Sequence, residues 1–337
     1  MSAPTGSEIF WMAGRLATEA AEISHDPASL ESDGFWAVQV NYEGQWTLTR
    51  FENVIEKPFP KTAWEGIAGE WTSTLDQDAY TKYVSRVRES IAAGDFYQVN
   101  ACRVLSTRCD VSLDGLFSKA LENNPAPYAA FLRTENLEIA SASPELFLSF
   151  NTTNAGVRIK SSPIKGTSIT PEFGEKDKSE NVMIVDLIRN DMSQICKEGT
   201  VDVSRLLGIE EHPGLFHLVS DVVGTLRDDF SWTNFSQALL PAGSISGAPK
   251  SSAVKFIAQN EKSRGPYCGL LGWVERRGPN ISGELSVAIR TFWRENNVIN
   301  FGTGAGITWG SDPISEWEET QLKANRLIAI AQGRFGE

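Results

Sequence analysis

The sequence predicts an α/β body of the α+β or layered kind, on three observations. Hairpin-like alternation and amphipathic helices are mixed along the chain, the two do not alternate strictly, and no repeat, low-complexity tract or Gly/Ser linker divides it. Residues 35–51 alternate apolar and polar on both sides of Glu43-Gly44, which reads as a β-hairpin. Residues 52–75, with Pro58 and Pro60, read as a loop. From Asp78 the spacing of Tyr80, Tyr83, Val84, Val87 and Ile91 is helical, and Gly94 suits a C-cap. A strand over Phe96–Leu105 follows, with Val99 and Ala101 on one face and Gln98 and Asn100 on the other. Further strands are expected at 129–133, 146–150, 270–275, 286–293 and 298–303, and helices at about 177–196, 251–259 and 314–332.

Composition bounds the partners. The 337 residues are 41% hydrophobic and 22% charged, as in ordinary globular proteins. There is no run of 18 apolar residues and no basic-then-apolar amino terminus, so neither a membrane span nor secretion is expected. Cys102, Cys109, Cys196 and Cys268 form no C-x-x-C pair, arguing against zinc or redox motifs and reading as reduced cytoplasmic thiols. A net charge of −12 without a basic cluster disfavours nucleic acid. A small anionic substrate would need local cations.

The segment 175–192 (EKDKSENVMIVDLIRNDM) sets Asp177 and Glu180 on one face near a helix start. Alone, such a pair is ordinarily explained by the helix dipole. In 314–325 (ISEWEETQLKAN), Glu316 and Glu319 form a second pair and Lys323 follows Glu319 by four, ordinarily a solvated i,i+4 ion pair. Two acidic pairs converging in space would supply the hard oxygen ligands that Mg²⁺ prefers. In 298–307 (VINFGTGAGI) the alternate glycines Gly302, Gly304 and Gly306 allow either a close backbone approach to a ligand or a tight turn. Lys165, in SPIKGT, is either a snorkelling surface lysine or, if desolvated, a nucleophile. His217 lies in an apolar setting, where a structural histidine is the ordinary reading and proton transfer the sharper one.

In chain order the segments GDFYQVN, SPELF, PIKGT, ENVMIVDLIRND, HLVS, PAGSISGAPK, Y-x-G-x-x-G-W, IRT, GAGI and EWEET-x-x-KA span about residues 78–330. Together they resemble the chorismate-utilising enzymes, the family of anthranilate synthase component I, aminodeoxychorismate synthase component I, isochorismate synthase and salicylate synthase. The resemblance implies two β-sheets packed face to face, flanked by outer helices, with the site in a central cleft. It makes 76–337 the catalytic domain and 1–75 an amino-terminal hairpin segment of the same body. It implies Mg²⁺ ligation by Glu180 and Glu319, with Asp177 and Glu316 acting through water. Tyr267, Arg290, Lys323 and the amides of Gly304 and Gly306 would hold substrate carboxylates, while Gly166, Thr167 and Ser244 line the ring pocket with Gln98 nearby. His217 would assist the leaving group.

Two positions choose among members of that family. Water-adding members resemble this chain but carry a lysine base where Gln98 stands, which favours an amine-transferring enzyme. Anthranilate synthases have alanine where Lys165 stands, and aminodeoxychorismate synthases have lysine. The resemblance therefore points most closely to component I of aminodeoxychorismate synthase, which places nitrogen at C4 of chorismate on the route to 4-aminobenzoate and folate, with anthranilate synthase as the alternative and a non-catalytic chorismate-binding protein as a remote one. No cysteine sits in a glutaminase-like elbow, so ammonia is expected from a separate glutamine amidotransferase subunit. Only about 75 residues precede the matched segments, which argues against feedback by tryptophan. Ser168 and Ile169 replace the arginine that often follows PIKGT in the family, and Ser244 replaces the threonine usual in anthranilate synthases.

Overall fold

A computed structural model of the chain describes residues 7–212 and 215–335. The strands are β1 (Ile9–Met12), β2 (Arg15–Ser24), β3 (Gly34–Val40), β4 (Trp46–Glu56), β5 (Thr72–Ser73), β6 (Gln98–Arg108), β7 (Tyr128–Arg133), β8 (Glu138–Ser143) and β9 (Leu146–Thr153). They continue with β10 (Gly156–Ser162), β11 (Ile164–Ser168), β12 (Asp202–His212), β13 (Leu215–Thr225), β14 (Gly247–Ala248), β15 (Leu270–Arg277), β16 (Asn280–Val287), β17 (Thr291–Glu295) and β18 (Val298–Ile307). The helices are α1 (Gln77–Ala93), α2 (Asp114–Asn123), α3 (Glu175–Ser193), α4 (Trp232–Leu239), α5 (Gly243–Ser246), α6 (Lys250–Asn260) and α7 (Pro313–Ala331).

Every ladder is antiparallel. One arm runs β12-β13-β10-β9-β16-β15-β3-β4-β2, with β11 also on β13. The other runs β7-β8-β17-β18-β6, with β5 and β14 on β6. The four-residue β1 pairs with β2 on one side and β7 on the other, so the two arms belong to one hydrogen-bonded network. Both feed one core, to which β3 gives Trp36 and Val38, β6 gives Val99 and Ala101, and β18 gives Ala305 and Ile307. The second arm is covered on both faces. On β7, Ala130 and Leu132 enter that shared core, whereas Ala129 and Phe131 join a second cluster with Leu116 and Phe117 of α2 and Leu327 and Ile330 of α7.

The helices form where the apolar period is clearest. The α1 helix buries Tyr80, Tyr83, Val84 and Val87, starts with the Asp76 side chain accepting from Ala79 N, and ends at Gly94 with φ 86°. The α7 helix starts at the Asp312 cap with Pro313 in its first turn and buries Glu316, Thr320, Ala324 and Leu327, so a carboxylate stands within its buried stripe. Two expectations need correction. The loop assigned to 52–75 is shorter, because β4 continues to Glu56 and β5 adds Thr72–Ser73. The strand assigned to 286–293 is two strands, β16 and β17, which belong to different arms. The chain changes arm at Ala288–Arg290, where Arg290 takes φ 52°, and changes arm again between β8 and β9 beside it. Alternation of side chains continues through such a crossing, so the pattern does not reveal it.

Candidate active site

The site forms where the arms meet. Lys165 and Gly166 lie in a register shift of β11 against β13: Ile164 faces Val219 and Thr167 faces His217, leaving the two residues between them out of step. Such a bulge re-aims a side chain. Gly166 has φ 92°, and an added Cβ would come within 3.0 Å of the Phe173 ring and 3.1 Å of Asp177 Cβ, so this position requires glycine. Lys165 Nζ donates to the Ser244 carbonyl at 3.1 Å.

From the other arm, Gln98 opens β6 and is buried. A Cβ on Gly306 would lie 2.5 Å from Gln98 Nε2 and 3.5 Å from Lys165 Nζ, so Gln98, Gly306 and Lys165 converge. The glycines of β18 leave one face of the strand bare. A Cβ on Gly302 would sit inside the Tyr267 ring, and one on Gly304 would lie 2.7 Å from Cys102 Sγ.

Burial lowers the pKa of Lys165, opposed by Glu180, Glu145 and Glu319 and reinforced by Lys323. A larger neutral fraction of the amine follows. Glu145 is buried within SPELF, and desolvation pushes its pKa up to about 7 despite hydrogen bonds from Ser244 and the Ile164 backbone and the charge of Lys165. Such a carboxyl can hold and release a proton near neutrality. The sequence marks Glu145 only weakly, as an acid in SPELF followed by the apolar run Leu146, Phe147 and Leu148, and no role is expected of it from that pattern. Arg290 stands at the arm crossing, where its carbonyl accepts from Ala142 N at 3.1 Å; its guanidinium has no hydrogen bond or ion pair among the described residues, and desolvation lowers its pKa to about 10. A desolvated, uncompensated guanidinium is suited to an anion. Tyr267 is buried against Gly302, and desolvation, with Cys268 and Cys102 beside it, pushes its hydroxyl well up. His217 is fully buried on β13, across from Thr167 and Glu210. The Thr167 side chain lies outside the described residues.

The acids expected to hold a metal stand on α3 and α7. Glu180 and Glu316 share one partner, with Lys176 Nζ 3.9 Å from Glu180 Oε1 and 3.6 Å from Glu316 Oε1. Glu319 Oε1 pairs with Lys323 Nζ at 2.6 Å, and Lys323 also donates to the Gly304 carbonyl at 3.1 Å. Burial opposes ionisation of Glu319, but Lys323, Lys176 and Lys165 outweigh it and hold its pKa below the usual range. Asp177 is turned back on its own helix, accepting from Gly174 N at 3.2 Å. With these internal commitments, no three acid, histidine or cysteine side chains among the described residues close into a ligating cluster. The donor set nevertheless suits a hard cation. Glu180 Oε1 and Glu316 Oε2 are buried without a hydrogen-bond partner, and desolvation raises the pKa of both acids, each reinforced by a neighbouring carboxylate.

Comparison with known proteins fits this geometry. Over 294 residues the chain is 33% identical to anthranilate synthase component 1 of Aquifex aeolicus, covering 83% of this chain and 57% of that protein. It is 32% identical over 271 residues to aminodeoxychorismate synthase component 1 of Bacillus subtilis, covering 76% and 56%. The chain thus spans little more than half the length of these two curated relatives. Among solved structures, anthranilate synthase component I of Streptococcus pneumoniae superposes with a TM-score of 0.77 at 22% identity, covering 97% of this chain and 91% of that one. The menaquinone-specific isochorismate synthase of Escherichia coli gives 0.77 at 18% identity, covering 96% and 88%, and shares the fold. The profile of the chorismate binding enzymes matches residues 31–329, and the chain belongs to that family.

Proposed function

We propose that the chain acts on chorismate as component I of aminodeoxychorismate synthase, replacing the C4 hydroxyl with an amino group to give 4-amino-4-deoxychorismate. The observation that carries the reading is Lys165: a lysine on a glycine bulge, its amine on the Ser244 carbonyl, its pKa lowered by burial, facing Gln98 where a water-activating lysine would otherwise stand.

In this reading the Lys165 amine attacks ring C2 while the C4 hydroxyl departs, and ammonia then forms the C4–N bond as the C2–Nζ bond breaks. Lys165 thereby divides one displacement into two and blocks amination at C2. Glu145, protonated in part at neutral pH, supplies a proton to the departing hydroxyl so that it leaves as water, with His217 assisting nearby. Arg290, Tyr267 and Lys323 hold the substrate carboxylates, Arg290 by its planar fork. Glu180 and Glu319 would hold Mg²⁺ directly and Asp177 and Glu316 through water, once Asp177 leaves Gly174 N. The ion, when bound, would neutralise and orient the ring carboxylate. Ammonia would come from a separate glutamine amidotransferase subunit, consistent with relatives named as component 1.

Anthranilate synthase component I is the second reading, favoured by the nearly equal identity to relatives of that name. Product identity separates them. The purified chain, given chorismate, Mg²⁺ and ammonium, should yield 4-aminobenzoate only when aminodeoxychorismate lyase is added. Anthranilate formed without lyase would replace the first reading with the second.

A further inference from the structure

The first turn of α3 carries two lysines with different surroundings. Lys178, half-buried, pairs with the exposed Glu175 at 2.8 Å on the same turn. Lys176 instead leans over the gap between α3 and α7 toward Glu180 and Glu316. The exposures are unequal in a telling way: the Lys176 side chain is 56% exposed, Glu180 17% and Glu316 5%. The ammonium can withdraw into water at small cost, whereas the two carboxylates are fixed in a poorly solvated place. At 3.6 and 3.9 Å the ammonium acts by charge, leaving Glu180 Oε1 and Glu316 Oε2 without a hydrogen-bond donor.

We infer that Lys176 is a tethered counter-cation that holds the Glu180–Glu316 pair together before a divalent cation binds and is displaced when it does. The inference rests on the reading of these acids as a Mg²⁺ site. A lysine and a divalent cation compete for the gap, because their like charges repel and the metal takes a Glu180 lone pair at about 2.1 Å, with its water shell against Glu316. Lys176 therefore weakens metal binding while keeping the metal-free site from opening through repulsion of its own acids. Lys323 differs in being anchored by hydrogen-bond-length contacts to both Glu319 and the Gly304 carbonyl.

The test is direct metal binding, read by calorimetry with Mg²⁺ and by the free Mn²⁺ signal in electron paramagnetic resonance, on the full chain without substrate. Lys176→Gln should bind roughly three- to tenfold more tightly than the unaltered protein, the scale of two partly exposed ion pairs. Its metal-free form should melt at a lower temperature than the unaltered chain, and the two should differ less once metal is saturating. Lys176→Arg should bind like the unaltered chain. Lys178→Gln, which removes the same charge from the same turn, should also leave affinity unchanged. Equal or weaker binding by Lys176→Gln overturns the inference, as does an equal gain in Lys178→Gln, which would reduce the effect to net charge. If the unaltered chain binds neither ion and Glu180→Gln behaves identically, the metal reading falls and this inference falls with it.

Discussion

At the scale of single residues the proposed chemistry rests on Lys165 and Glu145. Lys165→Ala should lower the yield of C4-aminated product by roughly two orders of magnitude or more while leaving chorismate affinity within a few-fold, measured by product chromatography and by binding titration. Glu145 gives a pH signature with a definite sign. Its carboxyl is raised from 4.5 to about 7 in the fold. In the proposed reaction it is the acid, so the rate should fall as pH rises through about 7, and Glu145→Gln should remove that limb along with most activity. Stability runs the same way. A raised pKa favours folding fully below the unfolded value, and that advantage is lost as pH climbs from about 4.5 to 7. Relative to the wild type, Glu145→Gln should therefore gain stability between pH 5 and 8, by on the order of 3 kcal/mol at most, in denaturant titrations at the two pH values.

At the scale of elements, β18 and the crossing at Ala288–Arg290 shape the pocket. Gly302→Ala would force the Tyr267 ring off the strand, since its new Cβ has no room. The expected loss is about 1–3 kcal/mol of stability, with weaker chorismate binding in the variant that still folds. Arg290→Ala should raise the chorismate KM about tenfold or more without lowering stability comparably, because the Arg290 guanidinium has no hydrogen bond or ion pair among the described residues. This is also the scale at which the sequence was most and least informative. Helices with a clear apolar stripe, α1, α3, α6 and α7, were legible within a few residues of their ends, and the paired acids on α3 and α7 were legible as pairs. The arm crossing was not, because Ser286–Trp293 alternates as a single strand would and only the pairing partners change. Asp177, expected to reach the metal through water, accepts from Gly174 N at the start of its own helix; an acid in a first helical turn suits either task. Lys176 gave no sequence signal, since its meaning depends on Glu316, on a helix far along the chain.

At the scale of the whole molecule, α3 and α7 are brought together by folding alone, so a cation bound across them should stabilise the entire chain. With Mg²⁺ at a hundred times its dissociation constant the gain should be about 2.7 kcal/mol. Urea midpoints with and without Mg²⁺ would measure it, and Glu180→Gln should abolish the difference. The family fold was legible from the order of ten short segments, whereas the continuity of the two arms through β1 was not, because Ile9–Met12 is too short to carry a pattern.

That ladder order has a consequence for how the protein is made. Val40 pairs with Leu270 and Val99 with Ile307, so β3 and β6 each receive a neighbour synthesised much later. On the ribosome both strands must wait with an open edge, and an open edge recruits other chains. Nascent chains arrested before Leu270 should therefore stay protease-sensitive and bound to holding chaperones. Release should come only after β18 has emerged and the second arm can close.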